Sequence, residues 1–332
     1  MDKDQIPSSN MRTLPTRVVE VPAAHEGRRL DKFLRANLKG VPPPLLFRLL
    51  RKGRVRVNGR RVEPGYRLHD GDQLELPRME VIDTKPPARI PAALLRQIEQ
   101  SILHEDDTLI VLNKPADVAV HVGTGVSGGV IEVLRHLRPD QPDLELAHRL
   151  DRETSGLLMI AKTPAMLRHL QQVLRDSSSL DRRYIALVRG AWPTKLTEVR
   201  ARLRRTERTV LVDGDGQTAC TRFSILRRFG NRATLVQARL VTGRKHQIRV
   251  HTRHAGHPIA GDQKYGDDSF HRSLRELGGS HMFLHASELR IPLPGGEKLH
   301  LTAPTPPSWQ RPLDLLTTPG KRAPRPRRRN RV

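Results

Sequence analysis

The stretch from Leu146 to Lys162 reads LAHRLDRETSGLLMIAK. It begins as a loop rich in polar and small residues and ends in an apolar run, LLMI at residues 157–160, which has the length of a buried strand. Catalytic groups tend to lie on loops that a rigid scaffold positions. Asp151 is therefore a candidate catalytic carboxylate, but its local spacing alone favours the alternative of a turn or cap residue paired with Arg149 or Arg152.

Other short apolar runs predict further strands in the same part of the chain, with helical patterns between them. Strands are expected at residues 109–112, 157–160, 184–188 and 234–240, and helices at residues 130–137 and 164–174. Hairpin-like spacing is commoner here than strict alternation of strands and helices. The pattern therefore predicts an α+β fold around a mixed, mainly antiparallel sheet.

The chain of 332 residues is strongly basic, with 59 lysines and arginines against 35 acidic residues and a formal net charge of +24. Such an excess predicts a polyanionic partner, and arginine in particular suits bidentate contacts to phosphate. No apolar run approaches the ~18 residues that span a bilayer, and the N-terminus lacks the apolar stretch of a secretion signal. We therefore expect a nucleic acid as partner, no membrane and no export.

The chain has a single cysteine, Cys220. An internal disulfide and a cysteine zinc site are both excluded, and this cysteine usage favours a reducing, cytoplasmic location. We interpret Cys220 as a small buried residue of a strand rather than as a catalytic thiol.

The positive charge is concentrated between Arg28 and Arg67, which bound a segment with 13 lysines and arginines against two acidic residues. Apolar spacing, prolines at a helix start and the Asn-Gly pair predict its local structure. The expected elements are a helix at 28–38, a helix at 43–51, a hairpin around Asn58-Gly59 and a closing strand at 73–76. This segment is expected to form a compact basic module.

The domain organisation follows from the basic module and from four prolines between residues 77 and 91, which interrupt any regular element. The last residues, 321–332, hold seven lysines and arginines and no apolar face, which is typical of a disordered tail. The expected parts are a flexible N-terminus (1–19), the basic module (20–76), a linker (77–98), a larger α+β domain (99–316) and a basic disordered tail (317–332).

The order helix, helix, hairpin, together with RLDKFL at 29–34 and RVRVNGRRV at 54–62, resembles the S4 RNA-binding domain over about residues 20–76. The resemblance implies structured RNA as the target, read through its shape and backbone. The alternative is that these charges only keep a small domain soluble, but a solvating surface would mix both signs. The residues expected to contact RNA in this module are Arg29, Lys32, Arg51, Lys52, Arg54, Arg56, Arg60 and Arg61.

Residues 146–162 match without a gap the central motif of the RluA family of pseudouridine synthases, whose conserved aspartate is the nucleophile. Further stretches resemble family motifs in the family's order: LNKP at 112–115, RYIALVRG at 183–190, LVTGRKHQIRVH at 240–251 and GHPIAGD at 256–262. The resemblance spans about residues 100–305. It implies a small N-terminal S4 domain followed by a pseudouridine synthase catalytic domain.

The resemblance also implies roles for individual residues. Asp151 is the expected nucleophile, and Arg249 is the basic residue expected to pair with it, because a buried carboxylate needs such a partner. Tyr184 is the expected active-site tyrosine, which can stack on an extruded uracil and relay the proton lost at C5; the residues alone favour a core position for it. The residues expected to contact RNA in this domain are Arg149, Arg152, Arg244 and Lys245.

Two features depart from the simplest pattern. Asp117 stands where the family usually has glycine, so a left-handed backbone is expected at a position that would strain most residues, although aspartate tolerates it better than most. The histidines between residues 246 and 257 suggest a metal site, but they lack a carboxylate or cysteine complement, and surface or RNA-contacting histidines are the preferred interpretation. No metal and no cofactor are expected.

With the S4 module in front, the chain is most similar to the synthase C subgroup of large-subunit enzymes, which LKGVP at 38–42, IEVL at 131–134 and LRP at 137–139 also resemble. This implies an enzyme that isomerises specific uridines of 23S ribosomal RNA. The sequence shows no coiled-coil heptads, so a monomer is the default expectation. The alternatives are a synthase for another RNA such as tRNA, or a noncatalytic RNA-binding factor in ribosome assembly. The presence of Asp151, Tyr184 and Arg249 argues against the noncatalytic alternative.

Overall fold

The computed structural model describes residues 11–38, 41–82, 90–121, 128–176 and 180–317. The chain divides into two compact units. The first comprises Met1–Leu112, Ala119–Arg149 and Leu158–Gln172, and the second comprises Asn113–Val118, Leu150–Leu157 and Val173–Val332. The stretch 146–162 thus begins in the first unit, supplies a segment to the second and returns.

The helices and strands occur in an order that matches the α+β prediction. Up to residue 175 they are β1 (Met11–Leu14), β2 (Arg17–Glu20), α1 (Leu30–Asn37), α2 (Pro43–Arg51), β3 (Arg56–Val57), β4 (Arg60–Arg61), β5 (Gln73–Leu76), β6 (Met79–Ile82), α3 (Ala92–Gln100), β7 (Ile102–Glu105), β8 (Leu109–Lys114), α4 (Val130–Leu137), β9 (Glu145–Leu146), β10 (Ser155–Ala161) and α5 (Pro164–Arg175). Beyond it they are β11 (Asp181–Arg189), β12 (Glu198–Arg205), β13 (Val210–Val212), β14 (Gln217–Phe229), β15 (Ala233–Leu240), α6 (Gln247–His254), α7 (Asp268–Glu276), β16 (Leu284–Pro292), β17 (Lys298–Thr302) and α8 (Gln310–Thr317).

The basic module lies in the first unit and has the helix, helix, hairpin order expected of it. Helix α1 buries Leu30, Phe33 and Leu34 on one face, which is the periodicity of an amphipathic helix. Asn58 and Gly59 both have positive φ, as the two-residue turn between β3 and β4 requires. The module's sheet has the order β2-β5-β3-β4 and is antiparallel throughout.

The boundaries expected around this module need correction. Strand β2 lies in the segment expected to be flexible and pairs with β5, and β1 pairs with β6, which lies in the expected linker. The physical reason is that Leu14 and Val19 pack against the module's core, so even short strands there bury apolar surface. Helix α3 also begins inside the expected linker. The remaining parts of these predictions, residues 1–10, 83–89 and 318–332, lie outside the described residues.

The second unit is built on a mixed, mainly antiparallel sheet, as predicted. Its strands follow the order β13-β12-β14-β15-β11-β16-β10, with β17 also beside β16. Only the β10–β16 pair among these is parallel. Part of the core lies where Phe283 packs on Trp309, with ring centroids 4.8 Å apart. Cys220 is buried in β14, as expected.

Gly156 determines how β10 leaves the Asp151 loop. Its φ is +108°, and a Cβ added there would lie 2.2 Å from the backbone oxygen of Ala286 in β16. No side chain fits at such a distance, and the conformation itself favours glycine. The parallel pair β10–β16 can therefore form directly after the loop that carries Asp151.

Candidate active site

Asp151 lies in a turn between β9 and β10, where its backbone oxygen accepts a hydrogen bond from the Thr154 N–H at 3.1 Å. Its side chain is 17% exposed, so the carboxylate is accessible but mostly surrounded by protein. Arg249 Nη1 donates to Asp151 Oδ2 at 2.7 Å. The sequence-predicted pairing of Asp151 with Arg249 is thus present in the structure.

Arg249 lies on α6 with only 4% of its side chain exposed. Beyond Asp151 it binds a second carboxylate, because its Nε and Nη2 donate to Asp262 at 2.7 and 2.8 Å. Burial lowers the pKa of Arg249, but the hydrogen bonds and charges of Asp262 and Asp151 outweigh it and raise the pKa. A buried, permanently charged guanidinium therefore faces Asp151 in a fixed orientation.

Asp262 holds this guanidinium in place and was not assigned a role from the sequence. Its side chain is fully buried. Its Oδ1 also accepts the backbone N–H groups of Lys264 and Tyr265, at 2.9 and 3.0 Å. Burial raises the pKa of Asp262, but the bonds from Arg249 and from these N–H groups lower it further, so the carboxyl stays ionised. Its only sequence signal was its place at the end of GHPIAGD.

Tyr184 is on β11 and is buried, with 8% exposure. Burial raises the pKa of its phenol, the charge of Arg182 lowers it, and the charge of Asp151 raises it again. The net direction is upward, so Tyr184 is a neutral phenol near the Asp151 carboxylate. It can donate a hydrogen bond or present its ring face to a base.

His246 hydrogen-bonds to Tyr265 and faces Asp151. The Val210 N–H donates to the Tyr265 hydroxyl oxygen at 2.9 Å, so the hydroxyl proton is free to donate to His246 Nδ1, 2.7 Å away. The imidazole proton then lies on Nε2, which faces Asp151 Oδ1 at 3.5 Å. Burial lowers the pKa of His246 to about 4, although Asp151 opposes the shift, so the ring is neutral.

The backbone at His246 is left-handed, with φ +54°. Non-glycine residues in this region store strain of about 1–3 kcal/mol and cluster at functional sites. The conformation orients the imidazole that faces Asp151. His246 and His251 are not surface residues, because only 8% of the His246 side chain is exposed and the ring of His251 is buried, where it binds Thr221 Oγ1 at 3.0 Å.

Lys114 is a second buried cation near Asp151. Its side chain has no exposed surface, and its Nζ donates to the backbone oxygens of Pro115, Val118 and Arg152 at 2.8, 2.8 and 3.0 Å. Burial lowers the pKa of Lys114 to about 7, while the charges of Asp117, Glu153 and Asp151 oppose the shift. These bonds join the turn after β8 to the Asp151 loop.

Asp117 has the left-handed backbone expected for the glycine of the family, with φ +63°. Its backbone oxygen accepts from Arg152 Nε at 3.0 Å, and its carboxylate accepts a hydrogen bond from His281 Nδ1. The aspartate therefore adds a side-chain hydrogen bond that glycine could not make. Arg152 is exposed but is anchored by this backbone contact.

The predicted RNA-contacting residues are surface residues, with one exception. In the S4 module all eight are exposed, although Arg29 is paired with Asp31 at 2.9 Å. Arg149, Arg152 and Arg244 are also exposed, whereas Lys245 is partly buried. Surface exposure permits contact with RNA but does not test it.

The described part of the chain contains neither a metal-binding group of side chains nor a membrane-spanning helix. No group of three or more histidine, cysteine or acidic side chains there could hold a metal ion. None of the helices there has the length and apolar character needed to cross a bilayer, the longest being α5 with 12 residues.

Comparison with known proteins identifies the family. A family model described as RNA pseudouridylate synthase matches residues 108–254, and an S4 domain model matches residues 28–74. The ribosomal large subunit pseudouridine synthase C of Escherichia coli (strain K12) is 45% identical over 313 residues, which cover 92% of this chain and 98% of that protein. The chain belongs to the RNA pseudouridylate synthase family. The resemblance stated from the sequence motifs is thereby confirmed, and the chain is an RNA pseudouridine synthase, an isomerase.

Other relatives of this pseudouridine synthase agree. The Pasteurella multocida (strain Pm70) protein named ribosomal large subunit pseudouridine synthase C is 48% identical over 298 residues, covering 87% of this chain and 90% of its own. Among solved structures, human RNA pseudouridylate synthase domain containing 4 matches with 26% identity and a TM-score of 0.56. That match covers 68% of this chain and 95% of the human chain.

Proposed function

We propose that this pseudouridine synthase isomerises specific uridines of 23S ribosomal RNA, with Asp151 as the nucleophile. The substrate is supported by the relatives, which are named as enzymes of the ribosomal large subunit and are similar along almost their whole length. The observation that carries the role of Asp151 is its carboxylate, partly accessible and bound at 2.7 Å by an arginine that is itself clamped by Asp262.

The reaction moves a bond without changing the atoms of the nucleotide. The N1–C1′ bond breaks, the uracil turns, a C5–C1′ bond forms, and the proton lost from C5 is balanced by one gained at N1. Asp151 can attack C1′, add to the uracil ring or act as a base at C2′, and each route requires a positioned carboxylate. No electron is gained or lost overall.

Tyr184 supplies a second function in this proposal. Its ring stacks on the flipped uracil, and its neutral phenol relays the C5 proton, accepting it on the hydroxyl oxygen while its own proton passes to another acceptor. Flipping the uridine out of its stack costs a few kcal/mol, on the order given for base-flipping enzymes. Contacts of exposed lysines and arginines with phosphates offset that cost.

The role of Asp151 is tested with Asp151→Asn, which keeps the size of the side chain and removes its charge. We expect the variant to bind ribosomal RNA but to form no pseudouridine by chemical mapping. Glu153→Gln is the matched control, because Glu153 also faces Arg249, at 3.7 Å, but is 45% exposed. Turnover by Asp151→Asn, or an equal loss in Glu153→Gln, contradicts the assignment.

The substrate is tested by comparing pseudouridine maps of total RNA from cells with and without the gene. Sites lost only from 23S ribosomal RNA support the proposal. Loss from tRNA alone identifies the other RNA class as the substrate, and no loss at all favours a noncatalytic assembly factor.

We propose that the exposed basic residues of the S4 module, residues 28–74 by the family match, dock the RNA. Replacing Arg54, Arg56, Arg60 and Arg61 by glutamine should weaken RNA binding and flatten its salt dependence, because each phosphate contact contributes about 0.7–0.9 to the slope of log K against log salt. Unchanged slopes would show that these four residues do not contact phosphate. A ribosomal RNA substrate also supports a cytoplasmic location for the enzyme. We further propose that it is a monomer, which sedimentation of the purified protein tests.

A further inference from the structure

Arg182 is an arginine for which the proposed function has no use so far. It lies on β11 two residues before Tyr184, and alternate residues of a strand point to the same face. Its charge also lowers the pKa of the Tyr184 phenol. Arg182 and Tyr184 are therefore neighbours on one face of β11.

The neighbouring Arg183, in contrast, is paired with carboxylates. Arg183 points to the other face, where its guanidinium donates to Asp181 Oδ2 at 2.8 Å and lies 3.6 Å from Glu288. Arg239 also binds Asp181, at 2.9 Å. Within the chain segments that the structure covers, Arg182 has no such carboxylate, and its Nε is buried without any hydrogen-bond partner.

The chain leaves room for the Arg182 guanidinium at Gly243. A Cβ built on Gly243 would lie 3.0 Å from Arg182 Nη2 and 3.2 Å from Nη1. The backbone of Gly243 is not left-handed, so other residues could adopt it. The absence of a side chain at this position therefore leaves space for the guanidinium, next to the exposed Arg244.

A partly buried guanidinium without a counter-charge is costly, because burial removes water that no anion replaces. Arginines in such positions pair with a carboxylate or a phosphate, and the planar fork suits two phosphate oxygens. Since no carboxylate is provided among the described residues, the missing anion is external. The external anion available to a pseudouridine synthase beside Tyr184 is the phosphate backbone of its RNA.

We propose that Arg182 binds a phosphodiester next to the uridine that is modified, and so fixes the flipped nucleotide between Tyr184 and Asp151. This role rests on the proposed function, because it requires RNA turnover. A phosphate contact made while the base is outside the stack raises the population of the flipped state. It acts on binding and positioning and not on the bond-breaking step itself.

The test uses an RNA fragment around a uridine that the wild-type enzyme modifies, with each flanking phosphodiester replaced in turn by an uncharged methylphosphonate. We expect one replacement to lower kcat/KM of the wild type by about tenfold to a hundredfold, the range for hydrogen bonds to charged groups. Arg182→Met should show the same loss on unmodified RNA and no further loss on that methylphosphonate.

Arg183→Met is the matched control, since it removes one positive charge from the adjacent position. It should keep the wild-type sensitivity to the methylphosphonate. Gly243→Ala provides a second variant if Arg182→Met does not fold, because the added methyl shifts the guanidinium by a few tenths of an ångström and keeps its charge. This variant should lose part of the same sensitivity.

The outcomes separate the two proposals. No turnover by the wild type on unmodified RNA overturns the proposed function, and with it this role. Turnover by the wild type combined with an undiminished methylphosphonate effect in Arg182→Met and in Gly243→Ala overturns the Arg182 role alone.

Discussion

The carboxylate–arginine–carboxylate arrangement of Asp151, Arg249 and Asp262 allows stability and catalysis to be separated by mutation. Arg249→Met removes the guanidinium and keeps a side chain of similar volume. Asp262 then becomes a fully buried carboxylate without a cation. Breaking a buried ion pair in this way costs about 3–5 kcal/mol, so we expect a loss of that size in the free energy of unfolding.

The double variant Arg249→Met with Asp262→Asn removes the uncompensated charge. Asparagine keeps an oxygen that can accept the N–H groups of Lys264 and Tyr265, which Asp262 Oδ1 accepts in the wild type. Neutral replacements of buried ion pairs are often tolerated, so the double variant should return to within about 2 kcal/mol of the wild type. Its turnover should remain at least about a hundredfold below wild type, because Asp151 is no longer held.

Tryptophan fluorescence during urea unfolding measures this effect where it occurs. The chain has two tryptophans, Trp192 and Trp309, and both are buried in the second unit together with the site. Two results contradict the reasoning: a single variant as stable as the wild type, or a double variant that regains turnover. The first result would mean that Asp262 does not remain a buried, ionised carboxylate in the single variant. The second would mean that Arg249 has no role in positioning Asp151.

Three further perturbations test other parts of the site. The folded-state pKa of Lys114 is about 7 and its ordinary value is 10.5, so the folded state loses this proton at a lower pH than the unfolded state does. The stability of the wild type relative to Lys114→Met should therefore rise by up to about 1.4 kcal/mol per pH unit between pH 7 and 9. A stability difference that does not change with pH would show that the amine titrates with its ordinary pKa. The pKa of His246 is about 4 in the folded state, and its ordinary value is 6.5. The stability that its neutral ring contributes is therefore present above pH 6.5 and is lost as the pH falls through 4. Acid unfolding curves of His246→Phe should lack this component, and its turnover should fall because the group that faces Asp151 is gone. Gly156→Ala places a methyl group 2.2 Å from the Ala286 oxygen and should cost more than about 3 kcal/mol of stability in thermal unfolding, whereas a neutral effect would mean that β10 and β16 can separate freely.

The local parts of this molecule were predictable from sequence because their signals are local. Apolar periodicity marked α1, α4 and α5, and Asn58-Gly59 marked a turn that needs two residues of positive φ. The pairing of Asp151 with Arg249 came from family motifs, since no spacing rule connects residues so far apart. The structure now gives that pairing an atom-level geometry.

What sequence reasoning missed depends on contacts between distant segments. Strand β1 is four residues long and pairs with β6, more than sixty residues later, so no periodicity in either stretch announced it. Asp262 was assigned no role from the sequence, because only the folded chain brings its carboxylate onto Arg249. The sequence favoured a surface or RNA-contacting interpretation of His246, because its partners come from distant residues. Its ring hydrogen-bonds to Tyr265, whose hydroxyl oxygen accepts the Val210 N–H.

The separation of Asp151 from its arginine also has a consequence for the time at which a newly made molecule becomes active. Arg249 follows Asp151 by 98 residues, and Asp262 follows Arg249 by 13. At about 5–20 residues per second, a ribosome needs roughly 5–20 s to add the intervening chain. Throughout that interval the emerging HRLDR loop has a carboxylate but no guanidinium to orient it. A nascent chain therefore cannot form the Asp151–Arg249 pair before the segment that carries Arg249 and Asp262 has been synthesised and folded.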